Sequence, residues 1–268
     1  MKNWQSTVDC ILETPVPQDT DSYTAIPHSV FLTEIKDELA KRNYTVVEER
    51  YLTADVCKVI TGVYKVASDS ISDLEMAPAV TFVNSYNKKR TASIRASAMV
   101  LVCTNGMCGM VDNGSYVRKH TGNALEDFRE HIQVVIDGLD KEFARLVLNK
   151  EEMKNITLNK TQKGNLIGDM LMNQMIGTQQ LSALMKEVRK SQYPCFRDDT
   201  LWSFYNHVTT AYKDAHPMSY DKQHVAFHTY ICDKFQLTGS RGLFDKLIAL
   251  PEEDLFKELG KEITKELS

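Results

Sequence analysis

The chain has 268 residues, 43% of them hydrophobic and 25% charged, which is ordinary globular composition. At this length it buries roughly 70–75% of the surface it exposes unfolded, so no metal or disulfide is needed for folding. The formal net charge of −4 excludes wholesale electrostatic coating of nucleic acid but leaves room for a local basic patch.

Residues 1–28 hold Pro15, Pro17 and Pro27 among acidic and hydroxyl residues. Proline removes a donor and fixes φ, so this stretch reads as an extended arm with little structure of its own. The stretch contains no apolar core of signal-peptide length, and nothing in the chain approaches the ~18 apolar residues of a membrane span. The six cysteines are unevenly spaced and do not read as a disulfide framework. Cys103 and Cys108 read as small side chains of a reducing compartment, and the expectation is a cytoplasmic protein with no membrane partner.

Ser29 is placed to cap a helix to about Arg42, with Val30, Phe31, Ile35 and Leu39 on one face. From Tyr44 the period switches to two. Strands are expected within 44–66, with Asp55 near a turn, then at 79–84, 91–104 and 115–119, all rich in β-branched and aromatic residues. After Gly122 the period becomes 3.6. Asn123 and Glu126 have capping-box spacing, and Leu125, Phe128, Ile132, Val135, Leu139, Phe143 and Leu146 mark one helix over 123–149. Further helices are expected at about 160–190, 198–214, 219–236 and 240–249, and a last one from Pro251. The fold class is α+β: an antiparallel sheet in the N-terminal half packed on a long helix, followed by a helical C-terminal half. The expected organisation is an arm (1–28), a sheet-plus-helix core (29–150) and a helical region packed on that core (151–268).

Charge and turn chemistry coincide in one place. Between residues 86 and 120 stand Lys88, Lys89, Arg90, Arg95, Arg118 and Lys119 with Asp112 as the single carboxylate, a local balance of +5 in an acidic protein. Such a strand-borne basic surface fits phosphates, with Tyr86 or Tyr116 available to stack on bases. The same pattern also fits a solvated hairpin tip whose lysines protect a sheet edge. Cys103, Cys108 and His120 have half the composition of a zinc site, but no fourth ligand is evident. His224, His228 and Cys232 recur every four residues on one helix face, yet their apolar neighbours Val225, Phe227 and Ile231 make them packing residues, so no metal is expected. Paired carboxylates, an activated nucleophile and a phosphate loop all lack a recognisable setting, so no catalytic residue and no cofactor is assigned.

The stretch FVNSYNKKRTASIRASAMVLVCTNGMCG, with VRKHTG downstream, resembles the phage/plasmid-like protein family of unknown function. The matching positions are Asn84 and Ser85 of an Asn-Ser turn, then Cys103, Asn105 and Gly106 of a Val-Cys-x-Asn-Gly motif, then His120 and Gly122 of a His-x-Gly motif. The TLWSFYNHVT helix with Trp202 extends the likeness, which spans roughly residues 30–215. Where the family has His-Asp-Gly after Asn-Ser, this chain has Tyr86, Asn87 and Lys88, with Asn87 suited to a left-handed turn position. The resemblance implies a mobile-element protein acting in a bacterial cytoplasm, without supplying an activity. Two roles follow as expectations. The first is non-catalytic binding or annealing of single-stranded nucleic acid, for which sheet-plus-helix annealing proteins of phages are a fold-level analogy. The second is an inhibitor that binds a host defence protein, with an enzyme the least supported reading. Either role is compatible with a homo-oligomer.

Overall fold

A computed structural model describes residues 8–68, 72–103, 105–108 and 115–240. Two short elements open the chain, α1 (Val8–Glu13) and α2 (His28–Lys41), followed by four long strands: β1 (Thr45–Ala54), β2 (Val59–Ala67), β3 (Met76–Ser85) and β4 (Ala92–Val100). These form an antiparallel meander in the order β1-β2-β3-β4. The outer edge of β4 is shared. β5 (Gly106–Cys108) pairs along Ser97–Met99 and β6 (Ser115–Arg118) along Ala92–Arg95, so the two strands cover different parts of that edge. The rest of the described chain is helical: α3 (Ala124–Asp137), α4 (Leu139–Asn155), α5 (Lys160–Met172), α6 (Thr178–Arg189), α7 (Leu201–Ala211) and α8 (Tyr220–Phe235). The α+β class expected from the change of period is therefore the observed one.

Alternation along the strands divides the sheet into two faces. Ile60, Tyr64, Val80, Phe82, Ile94 and Ala96 share a face and form one core with Phe31 and Ile35 of α2 and Phe128, Ile132 and Val135 of α3. The opposite face mixes polar residues with a small apolar cluster of Val63, Ala79 and Met99. There the Thr61 hydroxyl donates to the Pro217 carbonyl at 2.9 Å, and the Thr81 and Ser97 hydroxyls meet at 3.0 Å. Gly62 belongs to the first face, where a Cβ would stand 2.3 Å from the Phe82 ring, so only glycine lets that ring lie flat on β2. A second core joins the far end of the sheet (Met76, Ala98, Val100) to α4 through α8.

Several local expectations are corrected. The 123–149 helix is two helices broken at Gly138, whose ψ of 0° leaves the helical region, and the second runs on to Asn155. The apolar face was still read correctly, since Phe128, Ile132, Leu139, Phe143 and Leu146 are all buried. The 160–190 helix likewise splits into α5 and α6. Asn123 makes no capping bond, whereas Asn159 and Gln162 form a full capping box at the start of α5. Helix α2 begins at His28 after Pro27, with Ser29 already inside it. The arm is more than an extended strand. It contains α1, Thr20 and Tyr23 pair as a bridge, and Ile11, Tyr23 and Ile26 are buried. Cys10 and Cys57 form a disulfide, Cα to Cα 6.5 Å, that ties α1 to the β1–β2 turn. The helices expected at 240–249 and from Pro251 lie outside the described residues, apart from a 3-10 turn at Thr238–Ser240.

Candidate functional site

The β3–β4 turn, the segment after β6 and the arm meet at one end of the sheet. Tyr23 anchors the arm there. Its hydroxyl donates to the Ser85 carbonyl at 3.1 Å, and the Thr24 N–H donates to the His120 carbonyl at 3.0 Å. Asn84 is fully buried behind it, donating to the Ile26 carbonyl at 2.8 Å while its own side-chain carbonyl accepts the Ser85 N–H at 2.9 Å. The same amide stands 3.0 Å from Nδ1 of His28, whose Nε2 is 3.1 Å from the Cys57 carbonyl. An amide N–H must donate, so Nδ1 accepts and Nε2 carries the proton toward Cys57. Both ring nitrogens of His28 are satisfied in the neutral form, and burial lowers its pKa to about 4.

The turn itself is held by Asn87. Its side-chain carbonyl accepts from the Ser85 hydroxyl at 2.8 Å and the Lys89 N–H at 3.1 Å, and its amide donates to Asp55 at 2.9 Å. The left-handed residue is Lys88 (φ 62°), where Asn87 was expected. Asn87 instead supplies the side-chain bonds that make the turn, the other role for which asparagine suits turns.

These contacts leave a cleft of about 260 Å³ lined by Ser22 and Tyr23 of the arm, residues 88–91 of the turn and residues 119–121 after β6. Lys88, Lys89 and Lys119 are exposed, and none of the lining residues is a carboxylate. The Lys88 ammonium lies 4.8 Å from the centre of the Tyr23 ring, which is 5.6 Å from the imidazole of His120. His120 is only 4% exposed, and among the described residues neither ring nitrogen has a hydrogen-bond partner. Burial lowers its pKa to about 4, so the ring is neutral at pH 7. Burial also raises the Tyr23 hydroxyl to about 12, helped by Tyr86 and Asp19.

The other expected binding residues divide by burial. Tyr86 is a core residue. Its ring stacks on His28 at 3.8 Å and its hydroxyl accepts the His28 N–H at 2.6 Å, so its face is closed to a base. Arg90 is buried as well. It donates to both oxygens of Asp221 at 2.7 and 2.8 Å and to the Met218 carbonyl, joining the turn to the start of α8. Arg118 pairs with Asp127 at 2.6 Å. Arg95 sits on β4 opposite Thr81 and Ser115, away from the residues that line the cleft. Tyr116 packs on Phe128 and is 5% exposed. The exposed cations of the predicted patch that line the cleft are thus the three lysines.

The remaining motif residues serve a second place, where β5 meets α7. Asn105 donates to the Asn206 carbonyl at 3.1 Å and to the Thr210 hydroxyl at 3.0 Å, and the Cys103 thiol faces the Asn206 side chain at 3.6 Å. A Cβ on Gly106 would come within 3.2 Å of the Tyr220 hydroxyl, so glycine lets α8 approach β5. Trp202 is 4% exposed, stacked on Tyr205 and edge-on to Phe196. Gly122 has φ +56° in the turn before α3, which glycine adopts freely. His228 and Cys232 are fully buried, in contact with each other, Asn149 and Tyr205. Among the described residues no group of three His, Cys, Asp or Glu is arranged to hold a metal ion.

Sequence reasoning missed Tyr23, His28 and Asp221, and placed Asp55 near a turn without its bond to Asn87. Their partners here lie 29 to 131 residues away, and no local period signals a contact across such distances. Chemically the cleft brings the buried neutral imidazole of His120 and the paired guanidinium of Arg90 together with three exposed ammonium groups, a lining suited to anions. Among the described residues no hydroxyl of the lining hydrogen-bonds to the His120 ring. No described helix is long and apolar enough to cross a membrane.

No match to the chain was found among curated proteins or among solved structures. The Domain of unknown function (DUF932) matches residues 20–229, which takes in the cleft, the whole sheet and the helices through most of α8. The chain belongs to the DUF932 family.

Proposed function

We propose that this protein binds single-stranded nucleic acid without catalysis, holding the sugar-phosphate backbone in the cleft between the arm and the β3–β4 turn. The observation that carries this is the set of exposed ammonium groups of Lys88, Lys89 and Lys119 around a cleft whose lining has no carboxylate, in a chain of net charge −4. Charge of one sign gathered on a concave surface raises the local concentration of an opposite polyion. A cleft of about 260 Å³ is on the scale of one nucleotide, which supports a single strand over a duplex as the ligand. With Tyr86 and Tyr116 buried, binding rests on phosphate contacts, which carry no base information. The likeness of the Asn84–Ser85, Cys103–Gly106 and His120–Gly122 motifs to phage/plasmid-like proteins supports a mobile-element protein acting in a bacterial cytoplasm.

Fluorescence anisotropy with labelled oligonucleotides at low salt tests the reading. Single strands of mixed sequence should bind with similar affinity and duplexes more weakly. Preference for duplex, or no binding of either, would remove it. Tyr86→Ala should lower stability, because it empties the space against His28.

A further inference from the structure

We propose that the floor of this cleft is a seat for a single phosphate group, with His120 and the Nε–H of Arg90 as the inner donors and Lys88, Lys89 and Lys119 closing over its outer oxygens. The inference rests on the cleft being an anion site, as in the function proposed above, and adds a specific group and two donors that backbone binding by surface lysines does not need.

Two buried side chains in the same lining have donors with nothing to receive them. His120 has both ring nitrogens without a partner among the described residues, and Arg90 has Nε without one although it is 7% exposed. A buried polar group left unpaired keeps its full desolvation cost, and native structures hold few of them without a reason such as a missing ligand. Neither residue is adrift. Arg90 is fixed by Asp221 and the Met218 carbonyl, which use its two Nη groups and leave Nε as a directional donor whose charge is already balanced. His120 is fixed by the contact of its ring with Tyr23 and by its carbonyl, which accepts the Thr24 N–H at 3.0 Å.

The ligand class follows from the donor count. Two inner donors and three rim ammonium groups call for acceptors pointing in several directions. A phosphate supplies them through tetrahedrally disposed oxygens, whereas a carboxylate offers two oxygens in one plane. The phosphate can belong to a free nucleotide or to the end of a strand.

The test uses the full chain and inorganic phosphate as the probe. Thermal unfolding is followed in phosphate and in sodium chloride of matched ionic strength, for the parent and for His120→Phe, which keeps a ring and removes both nitrogens. Phosphate should raise the parent's Tm above the chloride value, as a ligand of the folded state must, and His120→Phe should lose that increment. A general salting effect would appear in both proteins alike and would overturn the proposal, as would a parent that responds equally to the two salts. If the Phe variant does not melt cooperatively, histidine-ring NMR of the parent decides. Phosphate should move the signals of one of the seven histidines, and no movement, or equal movement of all, overturns the proposal. Competition then separates the sources. Displacement of phosphate by a 5′-phosphorylated oligonucleotide at least tenfold better than by its 5′-hydroxyl counterpart places a strand end in the seat, and displacement only by a mononucleotide places a free nucleotide there. Oligonucleotide binding with no phosphate response would sink the seat alone. A phosphate response without oligonucleotide binding would sink the nucleic-acid reading alone.

Discussion

Acidification is the perturbation to which the buried histidines respond together. His28, His120, His224 and His228 are each no more than 4% exposed, and burial lowers the first three to about pKa 4 and the last to about 3. The ordinary value is about 6.5. Below that pH the unfolded chain takes up protons that the folded chain refuses, so stability must fall as the pH falls, levelling off only as the folded rings protonate near pH 4 and 3. At pH 5 each ring costs about 2 kcal/mol relative to pH 7, and four acting independently cost about 8 kcal/mol, which is comparable to the whole stability of a domain. His207, also lowered by burial, adds in the same direction, while Glu142, raised by burial, opposes it. Urea unfolding followed at a series of pH values should therefore show a midpoint that drops steeply between pH 6.5 and 5. His120→Phe should remove about a quarter of the drop, roughly 2 kcal/mol at pH 5. A midpoint unchanged from pH 7 to 5.5 would mean that these rings accept protons in the folded state, and the burial argument would be wrong.

Asp221→Ala should cost about 3–5 kcal/mol in urea unfolding, because it leaves the Arg90 guanidinium buried and unpaired; a loss under 1 kcal/mol would show that Arg90 reaches solvent. Trp202→Ala should cost about 3–5 kcal/mol through the cavity left among Phe196, Tyr205 and the α7 face, and an unchanged Tm would contradict that packing role. Cys10→Ser should lower the stability of oxidised protein by about 4 kcal/mol on the loop-closure model for a separation of 47 residues, and leave reduced protein unaffected. Equal effects in both redox states would show that the Cys10–Cys57 bond does not form in solution, the state a reducing cytoplasm favours.

The pattern of apolar residues carried the architecture because period two and period 3.6 are local properties. The strands at 45–67 and the helical face from Phe128 to Leu146 could be read from a dozen residues at a time. The break at Gly138 left that pattern in phase, and the glycine, the one local signal of a break, was outweighed by the unbroken apolar face. The candidate site was only half legible. Charge asymmetry located Lys88, Lys89 and Lys119, but could not separate them from Arg90, whose partner Asp221 is 131 residues away. Tyr86 looked available for stacking because it follows a polar turn, while its burial depends on His28, 58 residues upstream. The arm was misjudged for a related reason. Three prolines argue against long regular structure but do not forbid packing, and Tyr23 packs through bonds to Ser85 and Thr20 that no period encodes. The three-residue β5 was too short for any period to declare.

The central claim is that the three cleft lysines bind nucleic-acid phosphates, and the salt dependence of affinity for a single-stranded oligonucleotide tests it most directly. Each phosphate neutralised on a single strand contributes about −0.7 to the slope of log affinity against log salt. The parent should show a slope of at least about −2 from three contacts. Replacing Lys88, Lys89 and Lys119 together by Gln should flatten it by about 2 and weaken all sequences alike, with stability changed by less than about 0.5 kcal/mol because these side chains are exposed. A folded triple variant that keeps the parental slope, or a parent that fails to bind even at low salt, would contradict the account.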